Sequence, residues 1–177
     1  MSMVKAAKFM VLVAGLMGLV AFFLPLFSVD VSGKAFTVSA FQAVRGVEAV
    51  KAHLESEAGE KMRQDPQAQK SIQDLDEVLV KVKSYLFIMY APAALLVLLG
   101  IIGVVKQKFG RGFGVLALLL GLVTFGFWAL LFFAAGEAKK EQAEAAFGLG
   151  LGVHLLLGTG ILGFLGGITN TIKPDRD

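Results

Sequence analysis

Four uninterrupted apolar runs, residues 9–27, 85–105, 113–135 and 147–168, contain no Asp, Glu, Lys or Arg and dominate what this chain can fold into. Each is close to the ~20 residues that a helix needs to cross about 30 Å of hydrocarbon. Inside lipid every backbone N–H and C=O has to be satisfied within the structure, which only helices and closed barrels achieve. The composition agrees, with 56% hydrophobic and 18% charged residues and a mean hydropathy of +0.72, values outside the range of soluble domains. The expected fold class is therefore an all-α integral membrane protein. A four-helix transmembrane bundle carries an outer cap, made of a short β-hairpin and two amphipathic helices.

The basic residues set the orientation. Lys5 and Lys8 precede the first apolar run, Lys106, Lys108 and Arg111 lie between the second and third, and Lys173 and Arg176 follow the fourth. The positive-inside rule places these segments and both termini in the cytoplasm, with residues 28–84 and the loop 136–146 outside. The expected location is a plasma membrane, in the bacterial case the inner membrane with the cap in the periplasm. The net charge of +3 is spread over short segments and interleaved with acids, so it does not point to nucleic acid. There are no cysteines, which removes lipobox, thiol–disulfide, haem-attachment and palmitoylation chemistry.

In chain order, residues 1–27 form the N-terminal segment and a first helix with Pro25 in its last turn. No small-x-small cleavage site follows the apolar core, so the segment reads as retained. From Phe27 the pattern alternates, and a Ser32-Gly33 turn would set Val29 opposite Phe36 and Phe27 opposite Val38 in a hairpin over 27–38. Ser39-Ala40-Phe41-Gln42 has the form of a capping box and opens a helix over 40–57. Its stripe is Phe41, Val44, Val47, Val50 and Leu54, with Arg45, Glu48, Lys51 and Glu55 facing water. A second amphipathic helix over 68–84 carries Ile72, Leu75, Leu79, Val82 and Leu86 in phase. Because Leu86 belongs both to this stripe and to the second membrane helix, 85–105, the two helices can run on without a break. Pro92 stands inside that helix. The short 106–112 loop makes the second and third helices antiparallel neighbours, and the third helix covers 113–135. The fourth covers 147–169, followed by a cytoplasmic tail over 170–177.

The fourth helix is rich in glycine. Gly148 with Gly152, and Gly163 with Gly167, have the small-xxx-small spacing that lets backbones approach, and Thr159 lies on the stripe of the second pair. Packing within the bundle is the expected use of these residues, and homo-oligomerisation is the alternative.

Catalytic chemistry has few materials here. No serine–histidine–acid order and no metalloprotease motif occurs, His53 with Glu57 supplies two metal ligands without a third, and no cofactor is implied. The apolar runs lack the charged residues that transporters place in their helices, which leaves an oligomeric channel as the remaining form of transport. One constellation does stand out at a common depth: Tyr90, Trp128, Phe132 and His154 could line a pocket under the cap for a lipid headgroup or another amphiphile.

A large first outer segment opening in β-structure, followed by a small second one, resembles the layout of claudin-like tetraspan membrane proteins. The tryptophan, Gly-Leu-Trp motif and paired cysteines of that family's first outer segment are absent. The Phe23-Leu24-Pro25-Leu26-Phe27 exit is similar to the first-helix ending of many uncharacterised bacterial four-helix membrane proteins. No functional residue is carried over from either resemblance. Two functions follow from the residues themselves. One is a noncatalytic tetraspan in the lipid bilayer whose outer cap binds a protein partner, as an accessory or assembly subunit of an envelope complex. The other is a lipid or hydrophobic-ligand binding protein with a pocket under the cap.

Overall fold

The computed structural model describes residues 3–31, 34–54, 66–106, 110–141 and 146–173. In chain order these form α1 (Met3–Phe23), β1 (Pro25–Val31), β2 (Lys34–Ser39), α2 (Ala40–Leu54), α3 (Pro66–Val105), α4 (Arg111–Glu141), β3 (Ala146–Leu149) and α5 (Leu151–Ile172). Helices α1, α3, α4 and α5 are each long and apolar enough to cross a membrane. Neighbouring glycine contacts give their directions. Gly18 meets Ala93 and Gly100 meets Leu12, so α1 and α3 are antiparallel. Gly121 meets Phe164 and Gly114 meets Thr171, so α4 and α5 are too. The small sheet joins the C-terminus of α1 to the N-terminus of α5, which defines a sheet end and a far end of the bundle.

Proline decides where α1 stops. The residue before a proline is pushed out of the helical region, so α1 ends at Phe23, and Pro25 opens β1 instead of lying in a last helical turn. A proline at the first residue of a strand forfeits no ladder bond there. The β1–β2 register pairs Val29 with Phe36 and Phe27 with Val38, the pairs that the alternation requires. The Ser32-Gly33 turn lies outside the described residues.

The sheet has a third strand. Residues 147–149, expected to begin the fourth helix, form β3 together with Ala146 of the expected outer loop and pair with β1, giving the order β2-β1-β3. An all-α bundle with a two-stranded hairpin is corrected to this extent. A short apolar run such as Ala146, Phe147 and Leu149 satisfies a strand as well as a helix, and β1 offers a free edge for it. Gly150 closes the join: its amide donates to the Leu26 carbonyl (2.7 Å), and a Cβ there would collide with the Pro25 carbonyl. Helix α5 therefore starts at Leu151.

Two further boundaries move. The segment 136–141 continues α4 rather than forming an outer loop, because Ala, Glu and Lys are strong helix formers. Lys5 and Lys8 lie within α1 rather than before it, and Lys8 is buried. Helix α3, in contrast, runs unbroken for 40 residues through Pro92, from the cap into the apolar bundle. Pro66, expected in a connection, is its first residue, where proline's fixed φ suits a helix and its missing N–H costs nothing.

The core has two layers. Ala21, Leu26, Ala40, Met89, Tyr90, Val153 and Leu156 fill the sheet end. Val11, Ala14, Leu96, Leu99 and Ala117 fill the middle of the bundle.

Candidate functional site

The aromatic constellation expected from the sequence is only partly assembled. Tyr90 is buried, its hydroxyl donates to the Ala21 carbonyl (3.3 Å), and its ring meets Phe22 edge-on with centroids 5.1 Å apart. Trp128 stacks on Phe132 (5.4 Å), lies tilted against Phe125 (5.3 Å), and packs on the same sheet-end core as Tyr90. Phe132 is exposed. His154 is exposed as well, on the face of α5 that also carries Leu151, Ile161 and Leu165. The helical period explains this. Gly152, Val153, Leu156, Thr159 and Gly160 occupy the inner face of α5, and position 154 falls on the opposite side. The four residues therefore do not line one pocket. Trp128 Nε1 is buried with no hydrogen-bond partner among the described residues.

The glycine pattern resolves differently for each member. Gly148 lies in β3 against Ser28, outside the helix, so its pairing with Gly152 as a helical motif is corrected. Gly152 faces the carbonyls of Ala21, Leu24 and Pro25, where an added Cβ would sit 2.9–3.0 Å away. A Cβ added at Gly163 would sit 3.2 Å from Gly121 Cα and 3.1 Å from Leu96 Cδ1, and Gly167 lies on the backbone of Leu118. Thr159 is buried and bonds back to the Leu155 carbonyl (2.9 Å), as serine and threonine do within helices. These glycines are used inside the chain.

A different cluster is built where α2 crosses the end of α1 and the middle of α3. The capping box at Ser39 is complete: the Ser39 amide donates to Gln42 Oε1 (2.9 Å) and the Gln42 amide to Ser39 Oγ (3.1 Å). This fixes the start of α2 and turns Val44 and Val47 inward. Phe41 then packs on Phe23 (5.3 Å) and Phe22 (6.2 Å). Lys83 of α3 donates to Glu48 (2.7 Å) and ties the two helices. Its hydrogen bond and charge hold the Glu48 carboxyl below its ordinary value, with a smaller contribution from Arg45.

Two hollows meet at this crossing and share Phe23. One, about 560 Å³, runs between α1 and α3 along Leu19, Phe22, Phe87, Ala91 and Ala94. The other, about 570 Å³, opens on α2 over Ser39, Gln42, Arg45, Gly46 and Ala49. Arg45 lies over the Phe41 ring (5.8 Å) and makes no ion pair with a described residue. Gly46 has open space where its Cβ would be, so packing within the chain does not require a glycine that costs the helix about 1 kcal/mol relative to alanine. Sequence reasoning placed Arg45 on a solvated face. The signal it left unused was the mid-helix glycine beside the arginine.

The His53 side chain and Glu57 lie outside what is described, and the described residues hold no cluster of three or more His, Cys, Asp or Glu. Fold and site together define a four-helix chain of membrane-spanning length with a strand-and-helix cap. No family model matches it, and neither the curated proteins nor the solved structures contain a match.

Proposed function

We propose that this chain is a noncatalytic integral membrane protein whose cap docks a protein partner, as an accessory or assembly subunit of an envelope complex. Helices α1, α3, α4 and α5 span the bilayer, and the basic residues at the far end keep that end and both termini in the cytoplasm. The sheet end then faces outward.

One observation carries the docking reading. The apolar run that begins at Tyr85 is long enough for the hydrocarbon, yet α3 starts at Pro66, so about 28 Å of helix stands beyond it. On that shaft Val78, Val82 and Tyr85 are all exposed, at 54%, 39% and 69%. They share one face at the i, i+4, i+7 spacing by which a helix anchors in a partner's groove. Glu77, Lys81 and Lys83 surround them with charge, which keeps such a face soluble when it is free.

The test is a photo-crosslinking residue at Val78 or Val82, activated in native membranes. One stoichiometric adduct at both positions, lost from the Val82 probe when Val78→Asp is added, is the expected result; no adduct at either position overturns the reading. A second reading, amphiphile binding, is favoured by the groove between α1 and α3 with Arg45 at its mouth.

A further inference from the structure

The two hollows that share Phe23 differ in chemistry. The lower one is almost wholly carbon, and Ala91 and Ala94 give it a smooth floor; even the Tyr90 hydroxyl is spent on Ala21. The upper one offers donors. Gln42 uses Oε1 on the Ser39 amide, which leaves the two hydrogens of Nε2, and the Arg45 guanidinium beside it is not paired with any described carboxylate. The nearby acid, Glu48, is held by Lys83. Gly46 lines the same hollow, and no described residue comes within 4 Å of where its Cβ would be.

An occupant that satisfies both limbs is an anion at one end and hydrocarbon at the other. A peptide backbone brings a neutral donor for every acceptor, whereas a phosphate brings acceptors only and the negative charge that Arg45 lacks. We propose that this groove binds one anionic phospholipid from the bilayer, with its phosphate at Arg45 and Gln42 and an acyl chain laid between α1 and α3 past Phe23. Gly46 lets the headgroup rest directly on the backbone of α2. The Phe41 ring steadies the guanidinium from its other side through the cation–π contact. Lipid bound here bridges α2 to α1 and α3, so it also holds the cap on the bundle. The proposal rests on the membrane reading of the four helices and is independent of docking at Val78, Val82 and Tyr85, which the test leaves unchanged.

The test is native mass spectrometry of the full chain in detergent, titrated with dioleoyl phosphatidylglycerol or dioleoyl phosphatidylcholine. Both lipids carry the phosphate, but the choline cation cancels its charge, so the wild type should retain one phosphatidylglycerol about tenfold more tightly than phosphatidylcholine, the effect of a net negative charge beside the Arg45 guanidinium. Arg45→Gln should remove that preference, and Arg45→Lys should keep part of it. Ala91→Phe, which fills the floor, should lower retention of both lipids. Arg45 is exposed, so Arg45→Gln should unfold at the wild-type temperature. Equal retention of the two lipids by the wild type, or a preference that survives Arg45→Gln, would overturn the proposal. So would displacement of the phosphatidylglycerol by millimolar inorganic phosphate, which would mean that the acyl chain contributes nothing.

Discussion

Gly167→Ala and Gly126→Ala add the same methyl group to two helices of the same bundle, and the structure requires opposite outcomes. At Gly167 the new Cβ would lie 2.6 Å from Leu118 Cα and 2.7 Å from its Cβ, so α4 and α5 have to separate. Overpacking of this kind costs about 1–3 kcal/mol. At Gly126 nothing lies within 4 Å, so only the helix preference for alanine remains, a gain of about 0.5–1 kcal/mol. For a chain of this size 1 kcal/mol moves the midpoint by roughly 2–4 °C. The same helix preference offsets part of the cost at Gly167, so Gly167→Ala should melt up to about 10 °C below wild type, and Gly126→Ala about 1–4 °C above it. Gly158→Ala is a useful intermediate, because the nearest atom is the mobile end of Met17, Cε at 2.7 Å; it should fall between the two. Thermal unfolding in one detergent, followed by circular dichroism, measures all three. If Gly167→Ala and Gly126→Ala shift the midpoint in the same direction, the close approach of α4 and α5 is wrong.

Three further outcomes follow from other parts of the molecule. Ser39→Ala breaks the reciprocal cap of α2 and should destabilise the chain by about 1 kcal/mol, read as a lower midpoint in the same melts; an unchanged midpoint would show that the cap is not formed. Because Lys83 depresses the Glu48 pKa, the α2–α3 tie is present above the unfolded carboxylate value and is lost as pH falls through the lower folded value. Acidification below the ordinary carboxylate value of 4.5 should lower the protection of α2 amides in the wild type, relative to their intrinsic exchange rate at each pH, and Glu48→Gln should show the lowered protection at every pH; identical protection profiles would remove the tie. With no native cysteine, single cysteines at Thr37 and Lys173 report orientation. An impermeant maleimide should label Thr37→Cys in intact cells and Lys173→Cys only after permeabilisation, and the reverse pattern would turn the protein over.

Much of the local structure is legible in the residues themselves. The four apolar runs, the Ser39–Gln42 box, the alternation that pairs Val29 with Phe36, and the apolar phase that carries α3 through Leu86 are all short-range patterns. Each is fixed by a period or by a side chain reaching three residues along, so no knowledge of the rest of the chain is needed. The same is true of the candidate residues only in part: depth along a helix can be counted, and Tyr90, Trp128 and His154 do lie toward the sheet end. Which way each one points cannot be counted. His154 faces outward because glycines at 152, 160 and 163 let α1 and α4 close on the other side of α5, and an apolar helix with glycine on most faces carries no stripe that announces this. Likewise, Ala146–Leu149 is a strand only because β1 stands free beside it, since hydrogen bonds across 116 residues or more, from Asp30 to Ala146, leave no mark in local sequence. Arg45 becomes part of a groove only when α2 folds down onto Phe22 and Phe23. The sequence alone determined the four apolar helices, the first hairpin pairing and the capped start of α2; the tertiary structure decided that Ala146–Leu149 is a strand and which helix faces meet, because in a chain this apolar the choice rests on how closely backbones can approach.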